Sequence, residues 1–477
     1  MILRTRYILP VVLLLALLLL FSPPSLIDGG EKKNARPPNI ILITIDALRA
    51  DHLGCYGYPK NTSPNIDDLA EDSILFENAF SQSSHTTPSY ASLLTSSYSS
   101  LHRLFSHDET INERFITLPE ILKANGYHTI GLFHGVRFKD EVGFSDDFDE
   151  FIHLDYILPE GIRSDPENKN VLSPELNERI INWIKENRTE PFFLMTRYYD
   201  PHFPYSPPKE YRGLFLEGDE EVFEINGTLI IDVNKGLRLS SEQNKYLVSQ
   251  YDSSIRYNDH YIGELINTID ELGLGENTII ILTADHGEEF NEHNRLSHGA
   301  NLYDESIHVP LIIRFPEKFN ARYKTQAELI DLMPTILEIL GITDIGGLQA
   351  QMQGETLLKK EDSGFAEVYQ DHIISETGLL NAHVPRKITV RDKTHKYILS
   401  KIKKGELEEL YDLVNDPEEI RNICLEEEGK CRQLRSIYMS SIMNSSIRDK
   451  YRPKKIDYKA QEEEENIKEL RSLGYVV

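Results

Sequence analysis

Cysteine is scarce: Cys55, Cys424 and Cys431 are the only three in 477 residues. Their intervals match no zinc-ligand spacing, which excludes a cysteine-held metal module. A local bridge between Cys424 and Cys431 stays open if the chain is exported, and Cys55 is expected to be a small buried residue. Positive charge is also short, with 51 Lys and Arg against 77 Asp and Glu and a formal net charge of -26. Nucleic-acid phosphates are bound by clustered cations, so this balance argues against a nucleic-acid partner. The acidic excess reads as solubility. No internal repeat of useful length is found.

A small-residue cleavage site is missing from the N-terminal segment too. Arg4 and Arg6 precede an apolar run of about 14 residues ending at Phe21, the pattern of an export signal or signal anchor. A spanning helix needs about 20 residues. Residues 1–36 are therefore expected to anchor the chain in a membrane or export it, with the rest outside the cytoplasm. The remaining length suits one large domain with a smaller one attached, divided here as 37–345 and 346–477.

What is present is an alternation of strands and helices. Asn39 to Asp46 is a continuous apolar run ending in an aspartate, as a central strand covered on both faces reads. Helical patterns follow at Asn65 to Ala70, Leu118 to Gly126, Glu175 to Asn187, from Leu247 to Gly273, and around Pro334 to Leu340. Strands are expected at Tyr127 to His134, Pro191 to Thr196, Thr278 to Ala284 and Val309 to Arg314. Residues from about Pro207 to Ser240 read as an irregular acidic insertion. Beyond about residue 345, Lys387 to Val390 and Lys396 to Leu399 look like antiparallel strands, with a mainly helical charged tail from Arg432. The fold class is α/β, layered around a mostly parallel sheet, with a smaller C-terminal α+β part.

Three places carry chemistry. Ligands of open α/β sheets gather beyond the carboxyl ends of strands, where Asp46 falls. A second buried strand ends in Asp285-His286-Gly287-Glu288. In Ser84-His85-Thr86-Thr87-Pro88-Ser89-Tyr90, Pro88 suits a first helical turn, which puts Thr86 or Thr87 at a helix N-terminus where free amides favour an anion. Taken alone, each has an ordinary structural reading as a cap or a turn.

These pieces together resemble the sulfatase family of the alkaline phosphatase superfamily, from about Pro38 to Val477. The resemblance rests on Asn39 to Asp46, Asp51 to Tyr58, Pro88 to Thr95, Thr283 to Glu288, Val309 to Ile313, Glu409 to Pro417 and Leu470 to Tyr475. It implies one divalent cation at Asp46, Asp285 and His286, with Thr86 as a further ligand and as nucleophile. Calcium, manganese and zinc all suit such donors. His202 and His298 match positions that protonate the leaving oxygen, and His134 one that binds the anionic group. His293 is expected at the surface or behind the site.

Departures from the family pattern bear on the chemistry. Thr86 stands where Cys or Ser gives formylglycine, so no formylglycine is expected. Tyr90 replaces an arginine, Leu132 and His298 replace lysines, and Ala47 replaces a second carboxylate. Fewer cations stabilise a doubly charged monoester less, each close charge contact being worth ~1 kcal/mol or more. The expectation is phosphoester chemistry, a phosphodiester favoured, through a phospho-threonine. Alternatives are sulfate-ester hydrolysis without formylglycine, lipid-headgroup phosphotransfer, and a non-catalytic surface protein of this fold. The partner is an anionic ester on a glycan, lipid headgroup or small molecule. Sequons at Asn61, Asn187, Asn226 and Asn444 are compatible with glycosylation.

Overall fold

The computed structural model describes residues 36–105, 109–134, 143–154, 173–218, 222–343, 348–361, 364–377, 386–402, 405–443 and 454–455. The N-terminal apolar segment, the sequon at Asn444 and the stretch Leu470 to Tyr475 lie outside them. Among the described residues no helix is long and apolar enough to cross a membrane.

The core is a nine-stranded sheet. Its strands in chain order are β1 Asn39–Ile45, β2 Ile74–Phe80, β3 His128–His134, β4 Glu150–Leu154, β5 Phe192–Tyr198, β6 Thr278–Ala284, β7 His308–Val309, β8 Leu311–Arg314 and β9 Ala321–Glu328. They lie in the order β7-β2-β8-β6-β1-β5-β3-β4, with β9 beside β2. The run β6-β1-β5-β3-β4 is parallel throughout, while β8 is antiparallel to β6 and β2. Every residue of β1, β5 and β6 is buried. That follows from runs such as Asn-Ile-Ile-Leu-Ile-Thr-Ile, which have no polar face to offer solvent.

The helices longer than one turn among the described residues are α1 Pro64–Glu71, α2 Thr86–Thr95, α3 Leu118–Ala124, α4 Ser173–Asn187, α5 Gly227–Asn234, α6 Ser241–Glu271, α7 Leu332–Leu340 and α8 Glu428–Met443. In one group α6 packs against α1 and α4, and in a second α2 packs against α3 and α7. The expected helix from Leu247 begins earlier, at Ser241. Ser240 accepts from the Gln243 amide and the Gln243 side chain accepts from the Ser240 amide, a reciprocal cap that starts the helix there. The stretch expected to be irregular contains α5. Asn226 caps it by accepting from the Leu229 amide, and Ile230 and Val233 are buried. Cys55 is only half-buried, not the core residue expected.

A four-stranded antiparallel sheet forms the C-terminal part: β10 Ile373–Glu376, β11 Arg386–Arg391, β12 His395–Ile402 and β13 Gly405–Asp412. Cys424 and Cys431 are joined beside α8. This part is fastened to the main sheet by buried ionic contacts. Lys396 Nζ lies 2.7 Å from Asp304 Oδ1 and 2.9 Å from Glu419 Oε1. His293, half-buried, bonds Glu305 at 2.6 Å and the Glu419 carbonyl at 3.1 Å, so it braces this junction. Stripping one partner from a buried ion pair leaves the other charge uncompensated. Lys396→Ala should therefore destabilise the fold by about 3 kcal/mol or more, read as a lowered midpoint in thermal or denaturant unfolding.

Candidate active site at the strand ends

Register sets the site. Ile45 of β1 pairs with Tyr198 of β5 on one side and Ala284 of β6 on the other. The residues that follow, Asp46 and Asp285, therefore emerge side by side at the carboxyl edge. The Asp46 amide donates to the Tyr198 carbonyl at 2.9 Å, which extends the pairing by one residue. Ala47 then turns the chain with φ 56° and gives its amide to Asp285 Oδ1 at 3.2 Å. The His286 amide reaches the same oxygen at 3.0 Å.

The other oxygens are placed differently. Asp46 Oδ1 and Asp285 Oδ2 are buried and accept no hydrogen bond. Each lies 3.5 Å from His286 Nε2. The Nδ1 of His286 is 2.9 Å from the Gly287 carbonyl, which can only accept, so Nδ1 carries the proton. The lone pair on Nε2 therefore faces the carboxylates. Burial holds this imidazole below the usual histidine range, with Asp285 opposing and Arg197 adding to the effect. Burial also pushes the Asp46 carboxyl well up, against the pull of Arg197.

Thr86 opens α2, and its Oγ1 lies 3.1 Å from His286 Nε2. Two residues of α2 fix that position. Ser89 Oγ donates to the Asp285 carbonyl at 2.6 Å, and the Tyr90 hydroxyl meets Thr44 Oγ1 at 2.5 Å. Tyr90 is thus taken up in bonding β1 beneath the site. The cation there comes from β5 instead. Arg197, fully packed, bonds Asp46 Oδ2 through Nη2 and donates through Nη1 to the His134 carbonyl at 3.0 Å.

The three other histidines lie around this centre. The His298 ring centroid is 4.1 Å from His286 and 5.0 Å from His202. Glu288 lies 3.1 Å from His298 Nδ1, and burial raises its own carboxyl well above the ordinary range. His202 Nδ1 donates to the Phe203 carbonyl at 2.8 Å. His134 ends β3 and stacks edge-on with Tyr199 at 5.6 Å. Burial, with Arg197 and His153 beside it, lowers its imidazole to about 3. Two contributors were not singled out from the sequence, Arg197 and Glu288. A charged residue directly after the apolar run Phe192 to Thr196 was the available signal for the first. Adjacency to Asp285-His286 was the signal for the second.

The donor set fits a divalent cation. Asp46, Asp285 and His286 each offer a ligand atom, all within 4.8 Å of one another and buried. Two carboxylate oxygens left without donors beside an imidazole lone pair are what such an ion satisfies.

Residues 38–342 match the Sulfatase family model, and residues 293–443 match that of the N-sulphoglucosamine sulphohydrolase C-terminal domain. Human iduronate 2-sulfatase is 29% identical over 340 residues, 58% of this chain and 60% of that protein. The match thus spans less than two thirds of that relative. An arylsulfatase of Clostridium perfringens is 25% identical over 453 residues, 83% of this chain and 92% of the relative. Among solved structures, a phosphonate monoester hydrolase of Agrobacterium radiobacter superposes with TM-score 0.70 at 22% identity, covering 85% of this chain and 95% of that one.

Protons and metal compete for Asp46. Because burial raises its carboxyl, Mn2+ affinity should fall as the pH is lowered, and Asp285→Asn should remove most binding at any pH. Isothermal titration at several pH values checks both.

Proposed function

The chain belongs to the sulfatase family; from that premise we propose that it is a hydrolase acting on ester bonds, that it is metal-dependent and that Thr86 is its nucleophile. The observation that carries this reading is the Thr86 hydroxyl, 3.1 Å from the imidazole of the buried carboxylate–histidine triad. Asp46, Asp285, His286 and Thr86 would hold the ion, which when bound would supply positive charge for a deprotonated hydroxyl and an anionic ester group.

The rest of the chemistry belongs to the side chains. The α2 N-terminus adds its amides and dipole to the anion site. Thr86 oxygen bonds the central phosphorus or sulfur as the bond to the leaving oxygen breaks, and that oxygen takes a proton from His202 or His298. Glu288 orients His298 through Nδ1. Water then attacks the same phosphorus or sulfur as its bond to the Thr86 oxygen breaks, the threonine leaves as the alkoxide it began as, and the histidine that gave up its proton takes one from the water.

A threonine cannot furnish the aldehyde hydrate that resolves a sulfated intermediate. A phospho-threonine hydrolyses without one, and this favours a singly charged phosphoester such as a phosphodiester. A second reading has its own support: the relatives named iduronate 2-sulfatase and ulvan-active sulfatase suggest a sulfated glycan. Export fits both, since a Cys424–Cys431 bridge persists in oxidising compartments. Membrane attachment through residues 1–36 stays part of the proposal.

With one aryl leaving group, the Mn2+-loaded protein should cleave a phosphodiester faster than a sulfate monoester or a phosphate monoester. Thr86→Ala should lower turnover by about a thousandfold or more, while Thr86→Ser keeps a measurable rate. Full activity in the alanine variant would sink the nucleophile assignment.

A further inference from the structure

Arg197 is out of character for its place. It sits in β5, paired with Thr44 of β1, where every strand residue is buried. A guanidinium in such a position is costly unless its charge is matched. The match is Asp46, one of the two carboxylates of the candidate cation site. Its other arm holds the carbonyl of His134, the last residue of β3. One side chain therefore links the ends of β1, β5 and β3. Among the described residues it is the Lys or Arg side chain whose ion pair reaches the triad.

We propose that Arg197 is the charge-setting and positioning residue of the site: it cancels one of the two carboxylates, so that the ion-loaded centre keeps one net positive charge for a singly charged ester group. The inference rests on the reading of the site as a metal-dependent ester hydrolase. Without Arg197 the two carboxylates cancel the divalent ion, and an arriving anion meets a neutral centre. Coulomb energy is proportional to the ligand's charge, so losing a fixed cation penalises a dianion about twice as much, in free energy, as a monoanion. A residue that only held the strands in place would weaken both by one factor.

The test uses the full chain loaded with Mn2+ as wild type, Arg197→Lys and Arg197→Met. Isothermal titration measures dimethyl phosphate, which carries one charge, and inorganic sulfate, which carries two. In the Met variant, dimethyl phosphate should bind about tenfold more weakly and sulfate about a hundredfold, the squared factor that Coulomb's law requires. The Lys variant should stay within a few-fold of wild type for both. Should the Met variant fail to unfold cooperatively, Arg197→Gln, which retains a donor for the His134 carbonyl, carries the same two measurements. Equal losses for the two anions overturn the proposal, as does a Lys variant as weak as Met or a wild type that binds neither anion. Anion binding that follows the predicted pattern in a protein that cleaves no ester would instead sink the hydrolase reading and leave Arg197's role standing.

Discussion

Two carboxylates at the ends of neighbouring parallel strands, both out of reach of solvent, are the constraint on which this site is built. Like charges so close and so poorly hydrated repel strongly, and burial alone drives Asp46 towards its protonated form. The fold answers each carboxylate separately. Asp285 receives two backbone amides on one oxygen, and Asp46 receives a guanidinium on one of its own. The remaining oxygen of each is aimed at the same imidazole. A pair satisfied in that lopsided way leaves two oxygens and an imidazole lone pair that fit a cation. A structural acid pair would have spent all four oxygens on donors.

Helix α2 completes the site from the other direction. Its N-terminus faces the carboxylate–histidine triad, a favourable approach because the positive end of the helix dipole meets negative charge. Ser89 and Tyr90 fix the approach by bonding the Asp285 carbonyl and Thr44, one on each of the two central strands. Thr86 then has little freedom, and its hydroxyl meets His286 rather than solvent. Positioning by helix-to-strand bonds explains why the hydroxyl is held on rigid elements.

The sheet was legible where apolar runs are unbroken. Asn39 to Asp46 and Thr278 to Ala284 could only be buried strands, and each ended in an acid. Parallel pairing then places those acids together, while their assignment to one cation with His286 came from the family resemblance and not from the runs themselves. Strands β2 and β9 were missed, since Ile74–Phe80 contains Glu77 and Asn78 and Ala321–Glu328 alternates charge with exposure before it becomes buried. Their pairing with each other through a register shift leaves no local pattern. Helix α5 was hidden because its capping Asn226 and its buried Ile230 and Val233 lie in acidic surroundings. Arg197 was hidden for a different reason. Its partner is 151 residues earlier, and only the parallel register of β1 with β5 brings the two together.

The histidines around the centre do not make up for the shortage of lysine. His134 is held near 3 and carries no charge at neutral pH. His286 is held low as well and presents a lone pair. An anionic group entering here meets hydrogen-bond donors and imidazole edges more than fixed charge. Donors of that kind discriminate by geometry and gain little from a second negative charge, whereas each added cation would gain from both. Two acids, one arginine and the two lowered imidazoles of His134 and His286 thus make up the charge inventory around the triad. That inventory follows from the burial of the carboxylates themselves: the arginine that makes their burial tolerable stands in the same site, paired with Asp46.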